Sequence, residues 1–367
     1  MIDYDVLKVI WWVLIGALLI GFALTDGFDM GAGMLLPFVG KTDTERRVVI
    51  NCVGATWEGN QVWFITAGGA TFAAWPTVYA TAFSGFYVAL LLVLFALFFR
   101  PVGFEYRGKL PDARWRRAWD WALFAGSAVP ALVFGVAFGN LLRGVPFSFD
   151  ADLRATYTGT FFGLLNPFAL LCGLVSVAML VMHGAAFLHL KASGDVSSRA
   201  ARVNVWAGCM TAALFGAAGV AVALWLPGFQ LSAEGTVSTG HGLWLSNYGK
   251  SAWVVMAPLI GVAGALWSAL CAARGQRAQA FVASGAAVAG VILTAGASMF
   301  PFIMPSSIHA SDSLTVWNAT SSRLTLQIMF IAVLIFLPIV LLYTTWVYRV
   351  MRGPVSTASV ENDSSLY

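Results

Sequence analysis

The stretch ATWEGNQVWFITAGGATF, residues 55–72, places one carboxylate and two carboxamides inside an otherwise apolar segment. If the stretch is helical, Glu58, Asn60 and Gln61 all fall in its first turns, and small or aromatic residues follow them. Whether it crosses a membrane decides the fold, because every later segment changes sides if it does not.

The composition is that of a membrane protein. Of 367 residues, 59% are hydrophobic and 10% are charged, whereas about 25% of residues are charged in an ordinary soluble domain. Apolar runs of about 20 residues recur, long enough to cross a hydrocarbon layer of ~30 Å. We therefore expect an all-α polytopic membrane protein in contact with lipid, with no nucleic-acid partner and no soluble-enzyme motif such as a phosphate-binding glycine loop.

Apolar windows between charged, proline and polar breaks predict nine transmembrane helices. They cover approximately residues 9–36, 50–72, 78–99, 119–142, 161–190, 203–226, 252–273, 279–301 and 324–348. We read residues 1–353 as a single integral membrane domain. The polar residues 354–367 are expected to form a disordered tail.

Basic residues test this count. With nine crossings, 16 of the 21 Lys and Arg residues fall on one side, and only Lys8, Arg143, Arg154, Lys250 and Arg323 fall on the other. Cytoplasmic loops carry the excess of positive charge. The pattern predicts an N-terminus outside the cytoplasm and a cytoplasmic C-terminus, and it favours a crossing by residues 50–72.

Three acidic residues are predicted to lie in the cytoplasmic half of the membrane. At 1.5 Å per residue, Glu58 lies roughly 12 Å along the second span and Asp26 about 25 Å along the first, which runs in the opposite direction. Asp29 shares a helix face with Asp26. Arg100, at the cytoplasmic end of the third span, is the candidate ion-pair partner.

Two interpretations of these carboxylates remain open. Ionisable groups inside a membrane often belong to proton paths or ion sites, and Asn60 and Gln61 extend the polar surface around Glu58. Alternatively, the carboxylates anchor loops and hydrogen-bond neighbouring helices. Because polar groups cover nearly half of its circumference, the helix is expected to pack inside protein rather than face lipid.

Metal and haem ligation receives little support. The four histidines and four cysteines show no metal-ligand spacing, so no metal site is predicted. His183 is the one tolerable axial ligand for a haem held within this chain. A secondary transporter or a proton or ion channel is the alternative function, but the paired interrupted helices typical of transporters are not visible.

Long motifs resemble subunit II of the bacterial cytochrome bd-type quinol oxidases. They are MIDYDVLKVIWW, TDGFDMG, DTERRVVIN, WEGNQVWFITAGGATFAAWP, AFSGFYVALLLVLFALFFRPVGF, GVAFGNLLRGVPF, TAGASMFPFIMPSS, LTVWNATSSRLTL and the terminal SLY. The resemblance covers nearly the whole chain in order, except for residues 190–250.

The resemblance implies nine helices arranged as two four-helix bundles and one peripheral helix. It also implies an inner-membrane oxidase complex that takes electrons from quinol and reduces dioxygen to water. Two haems b and one haem d would be ligated mainly by the partner subunit I. A small single-span accessory subunit is also expected, and ubiquinone or a related quinone would bind this chain as a structural cofactor.

Single residues can be carried over by position. Glu58 resembles a carboxylate proposed for proton entry, and Trp63 resembles a residue near the mouth of an oxygen channel. Asp26 and Asp29 match the D-G-F-D pattern, and Trp57 is the candidate contact for the structural quinone. Quinol oxidation belongs to subunit I in this family, so the isolated chain is expected to be inactive.

Overall fold

The structure is a computed structural model that describes residues 2–362. Within that range the chain is mostly helical. The helices, in chain order, are α1 Tyr4–Val39, α2 Asp43–Val53, α3 Trp57–Ala74, α4 Pro76–Gly85, α5 Tyr87–Tyr106, α6 Ala113–Arg143, α7 Pro167–Lys191, α8 Gly194–Leu224, α9 Ser246–Lys250, α10 Met256–Ala273, α11 Arg277–Met299, α12 Arg323–Val350 and α13 Thr357–Asn362.

Three antiparallel hairpins lie between helices. Strands β1 Phe147–Phe149 and β2 Ala155–Tyr157 form the first, β3 Pro227–Leu231 and β4 Val237–His241 the second, and β5 Phe302–Met304 and β6 Leu314–Thr315 the third. All three follow helices that end on the same side of the molecule. They therefore cap the end of the bundle where α1 begins.

The long helices form two groups. Helix α1 packs against α3 and α6, and α6 packs against α5; in the second group α7, α8, α10 and α11 pack on one another. Contacts of α7 with α1 and α6 join the groups. Within the described part of the chain, α12 packs mainly on α1 and α3 and buries one side chain, Leu326. The packing is thus two groups of helices with one peripheral helix, and the arrangement of the crossings as two four-helix bundles stays a prediction.

Ion pairs hold the opposite end together, which we call the basic end. There Arg107 contacts both Asp43 and Asp120, and Arg46 also contacts Asp120. These pairs tie α2, α5 and α6 together. Burial alone would raise the pKa of Glu45 on α2. The Arg199 guanidinium and two backbone amides donate hydrogen bonds to its carboxylate, and together they lower the pKa of Glu45 below its usual value.

The second predicted span is divided. Residues 43–53 form α2, which starts with a Thr42–Glu45 capping box, and the helix breaks before α3 begins at Trp57. Among residues 2–362, eight helices are long and apolar enough to cross a membrane by length and hydropathy, and α3 is not one of them. The polar first turn of α3 lowers its hydropathy, so nine crossings remain a prediction.

Helix α3 nevertheless runs the length of the bundle. It starts near Arg100 at the basic end, and its last residue, Ala74, accepts a hydrogen bond of 2.8 Å from the amide of Ser321. The carbonyl of Ser321 in turn accepts a hydrogen bond from Tyr4, at the start of α1. At about 1.5 Å per residue, its 18 residues span about 27 Å, close to the hydrocarbon thickness.

The third predicted span, 78–99, was wrong at both ends. The chain forms the short helix α4, turns at Phe86, and continues as α5 to Tyr106. The prediction stopped at Arg100 because a charge usually marks a membrane boundary. Arg100 instead lies within α5, where its guanidinium pairs with the carboxylate of Asp26.

Two other helices begin at residues that differ from the predicted starts. The fifth span, predicted to begin at residue 161, begins at Pro167, where Asn166 caps the helix through the amide of Ala169. Helix α8 begins at Gly194 rather than near residue 203, because Arg199 is paired with Glu45 and can remain in a helix.

The polar tail is ordered over its first part, contrary to the expectation. The amide of Val355 donates to the carbonyl of Lys191, the amide of Ser193 donates to the carbonyl of Val355, and Val360 on α13 is buried against the basic end. One apolar side chain and two backbone hydrogen bonds thus dock this segment. Residues 363–367 lie outside the described residues.

The close approach of α1 and α7 at Gly31 predicts a position that is sensitive to packing. A Cβ added to Gly31 on α1 would lie 2.1 Å from the carbonyl oxygen of Leu180 and 2.7 Å from the Cα of Gly184 on α7. We expect Gly31→Ala to destabilise the protein by about 1–3 kcal/mol, because the two backbones must separate.

Gly16→Ala on the same helix is the matched control, because nothing lies within 4 Å of its added Cβ. The thermal unfolding midpoint of detergent-purified protein measures both effects. Equal midpoints for the two variants would contradict the close approach of α1 and α7.

Candidate functional site

The first component of the site is a buried ion pair between α1 and α5. Arg100 Nη1 and Nη2 donate to the two carboxylate oxygens of Asp26 at 2.9 and 2.6 Å. Both side chains are almost fully buried, at 1% and 0% exposure. This parallel two-bond arrangement is the geometry that guanidinium and carboxylate groups favour. The ion-pair partner of Arg100 is therefore Asp26 and not Glu58.

The second component is a chain of hydrogen bonds through Asp29. Asn60 on α3 donates from Nδ2 to Asp29 Oδ2 at 2.7 Å, and Tyr348 on α12 donates its hydroxyl to Asn60 Oδ1 at 2.7 Å. The other carboxylate oxygen, Asp29 Oδ1, is buried without a hydrogen-bond partner among the described residues. Sequence reasoning missed Tyr348, because nothing in the local sequence of α12 shows which helix it faces.

Glu58 is not part of this cluster. Its side chain is exposed on the outer face of α3, whereas Asn60 is buried on the inner face. Two residues apart on a helix are separated by about 200°. The expected grouping of Glu58 with Asp26 and Asp29 was wrong for this reason, since only one of these two faces can meet α1. Gln61 is half-buried, next to Glu58 on the helix surface.

The two tryptophans of α3 lie on different parts of the bundle. Trp57 is buried, with its ring 5.3 Å from that of Phe104 and 5.8 Å from the Arg100 guanidinium carbon. Trp63 packs against Gly21 of α1, where an added Cβ would lie 2.7 Å from the indole ring. Trp57 thus covers the buried ion pair, and Trp63 lies beside α1.

A large apolar cavity lies between the two helix groups. Its volume is about 400 Å³, and Phe22, Phe64, Phe134, Met179 and Val291 are among the residues that line it. The polar lining residues are neutral, and they include a hydrogen-bonded pair, Tyr248 and Ser298, with 2.9 Å between the oxygens. Neither Trp57 nor Trp63 lines it. Such a cavity suits an apolar ligand with few hydrogen-bonding groups.

The histidines are not placed to ligate a haem in this cavity. No histidine is among the described residues that line it. His183 is buried outside it, with Nδ1 2.8 Å from Ser284 Oγ and Nε2 3.0 Å from the carbonyl oxygen of Leu24. Both ring nitrogens are therefore engaged. His189 contacts Ser197, and within residues 2–362 no group of three metal-ligating side chains comes together.

Comparison with known proteins supplies the family. A model of cytochrome bd terminal oxidase subunit II matches residues 7–351. The chain belongs to this family. The resemblance read from the motifs is thereby confirmed, as is the assignment to the bacterial inner membrane as a multi-pass protein.

Individual relatives agree along the full chain. The cytochrome bd-I ubiquinol oxidase subunit 2 of Escherichia coli is 51% identical, with all of both chains covered. The cytochrome bd ubiquinol oxidase subunit 2 of Bacillus subtilis is 36% identical over 95% of this chain and 96% of its own. A chain of the bd oxidase structure from Geobacillus thermodenitrificans superposes with a TM-score of 0.63 at 14% identity, covering 95% of this chain and 98% of that one, which shows a shared fold.

Proposed function

We propose that this bd oxidase subunit II carries protons from the basic end toward a haem-bearing subunit I, in a complex that oxidises quinol and reduces dioxygen to water. The observation that carries the proposal is the buried polar cluster of Asp26, Arg100, Asp29 and Asn60 within a bacterial bd oxidase subunit. Drawing protons from the cytoplasm, where we place the basic end and the C-terminus, would contribute to a proton gradient. With the N-terminus in the periplasm, Glu58 and Gln61 would lie near the cytoplasmic entrance.

The exposed face of α3 supports the proposal that subunit I covers this face. Glu58 shares this face with Val62 and Ile65, which are 52% and 65% exposed. An unpaired carboxylate facing lipid costs about 2.5–3.5 kcal/mol at the bilayer centre by insertion scales, and a smaller cost remains nearer the boundary. A partner surface with a polar group or water opposite Glu58 removes this cost, and it puts the carboxylate at the interface where protons pass to the haem subunit.

Two haems b and one haem d are proposed to be held mainly by subunit I, in agreement with the neutral cavity and the engaged ring nitrogens of His183. The cavity fits the isoprenoid chain of ubiquinone or a related quinone, because its lining is almost entirely apolar. Trp57 lies away from the cavity, so it does not support the quinone contact expected from the sequence. The bound quinone would fill the space between the helix groups and stabilise their packing.

Two further parts of the proposal follow from the family resemblance. Dioxygen would reach the haem subunit through apolar packing near Trp63, and a small single-span subunit would complete the assembly. The transporter or channel alternative receives no support from the family match. Proton delivery within an oxidase accounts for the buried carboxylates of this chain.

Purification of the complex tests this function. We expect a tag on this chain to co-purify a second large subunit, b and d haem absorption bands, and quinol oxidase activity. The chain expressed alone is expected to bind no haem and to show no activity. A full complex without haem bands would contradict the proposal and would favour the transporter alternative.

A further inference from the structure

The two carboxylate oxygens of Asp29 differ in their hydrogen bonding. Asn60 Nδ2 donates to Oδ2, while Oδ1 is buried without a partner among the described residues. Arg100 donates hydrogen bonds from both of its terminal nitrogens to Asp26, so this guanidinium already has a carboxylate partner. A buried polar atom without a partner calls for a specific explanation, such as a bound water or a functional role.

Oδ1 is therefore the atom of Asp29 that is available to take a proton. Protonation there leaves the Asn60 hydrogen bond intact, because the Oδ2 of a carboxylic acid still accepts. No side chain has to move when the carboxyl gains or loses its proton.

This arrangement requires the Asn60 amide to keep one orientation. If the amide turned by 180°, its carbonyl oxygen would face the Asp29 carboxylate, and two acceptors would oppose each other. The Tyr348 hydroxyl donates at 2.7 Å to the carbonyl oxygen of Asn60, which anchors the amide in the orientation that the Asp29 carboxylate requires. The amide thus presents its N–H group to Asp29.

We propose that Tyr348 is a positioning residue for proton transfer, which holds Asn60 so that Asp29 exchanges its proton at Oδ1. The inference rests on the proposed proton delivery through this cluster. Tyr348 belongs to α12, whose single buried side chain, Leu326, lies near the other end of the helix. The half-buried Tyr348 thereby adds a hydroxyl group from the peripheral helix to the polar cluster between α1 and α3.

The test compares Tyr348→Phe with Tyr343→Phe in the assembled oxidase. Tyr343 is on the same helix, 63% exposed, and packs its ring near Trp346. We expect Tyr348→Phe to lower the turnover number by about three- to tenfold, as expected for the loss of one hydrogen bond, with the haem spectrum unchanged. Tyr343→Phe should retain wild-type turnover.

Infrared difference spectra between oxidised and reduced enzyme give the second readout. A carboxylic acid band that is absent in Asp29→Asn belongs to Asp29. In Tyr348→Phe this band should move to higher wavenumber, because the Asn60 donor is no longer held against the carboxyl group. A purely structural contact would change assembly but would leave the band where it is.

Each outcome decides a different claim. Normal turnover in Asp29→Asn would overturn proton delivery through this cluster. Slow turnover in Asp29→Asn, together with normal turnover and an unmoved band in Tyr348→Phe, would overturn only the role of Tyr348. If Tyr348→Phe and Asn60→Ala both fail to assemble while Tyr343→Phe assembles, the contact serves assembly and the positioning role is wrong.

Discussion

Arg100→Met is expected to destabilise the subunit by about 3–5 kcal/mol, because it leaves the Asp26 carboxylate buried without its cation. Asp26 has no exposed surface, so water cannot replace the guanidinium unless the helices separate. The variant should assemble poorly with its partner subunit and release haem at a lower temperature. The temperature dependence of haem retention in detergent measures the loss.

A double variant separates the loss of the pair from the loss of packing. Asp26→Leu combined with Arg100→Met removes both charges, and it should recover much of the stability lost in the single variant, because uncharged side chains of similar size often replace a buried pair at little cost. Arg349→Met, at the exposed end of α12, is the control and should change stability by no more than about 0.5 kcal/mol. A single variant as stable as this control would show that Asp26 does not depend on Arg100.

Glu58→Gln is expected to reduce turnover by about 100-fold, because a side chain that transfers protons typically contributes at least that factor. Glutamine has nearly the same shape but cannot exchange a proton. Since Glu58 is exposed on α3 and bonds to no described residue of this chain, its replacement should leave the fold intact. Oxygen consumption with excess quinol measures the rate, and the reduced-minus-oxidised haem spectrum measures assembly.

Glu234→Gln is the matched control for this experiment. Glu234 is exposed in the turn between β3 and β4, at the end of the bundle opposite the basic end. It should retain wild-type turnover. Turnover within twofold of wild type in an assembled Glu58→Gln complex would exclude Glu58 as an essential proton carrier.

The sequence was sufficient for the membrane class and for most of the helices, because both depend on local properties. Apolar windows predicted nine spans, eight of which coincide with long apolar helices among residues 2–362, and long contiguous motifs identified the family. Local signals also explain the boundary errors. The charge of Arg100 ended a predicted helix early, and the apolar run across Gly54 hid the break between α2 and α3.

The contacts within the site could not be predicted from local sequence patterns alone. Position along the helices placed Asp26, Asp29 and Glu58 at similar depth, and that reasoning could not show which helix each one faces. The rotation of α3 turns Asn60 toward α1 and Glu58 outward, and the partner of Arg100 lies 74 residues away in the chain. Tyr348 reaches Asn60 across 288 residues.

Local sequence properties were enough to predict a polytopic bd oxidase subunit II, and the family match confirms that prediction. The length of apolar runs, the order of motifs and the residue types are properties of neighbouring residues. They can therefore be read without knowing how the helices pack. The packing of the helices was needed to show that Asp26 pairs with Arg100, that Asn60 rather than Glu58 contacts Asp29, and that Tyr348 completes the chain of hydrogen bonds. These contacts depend on how each helix is rotated about its axis, and the rotation is decided jointly by all the helices that pack against it.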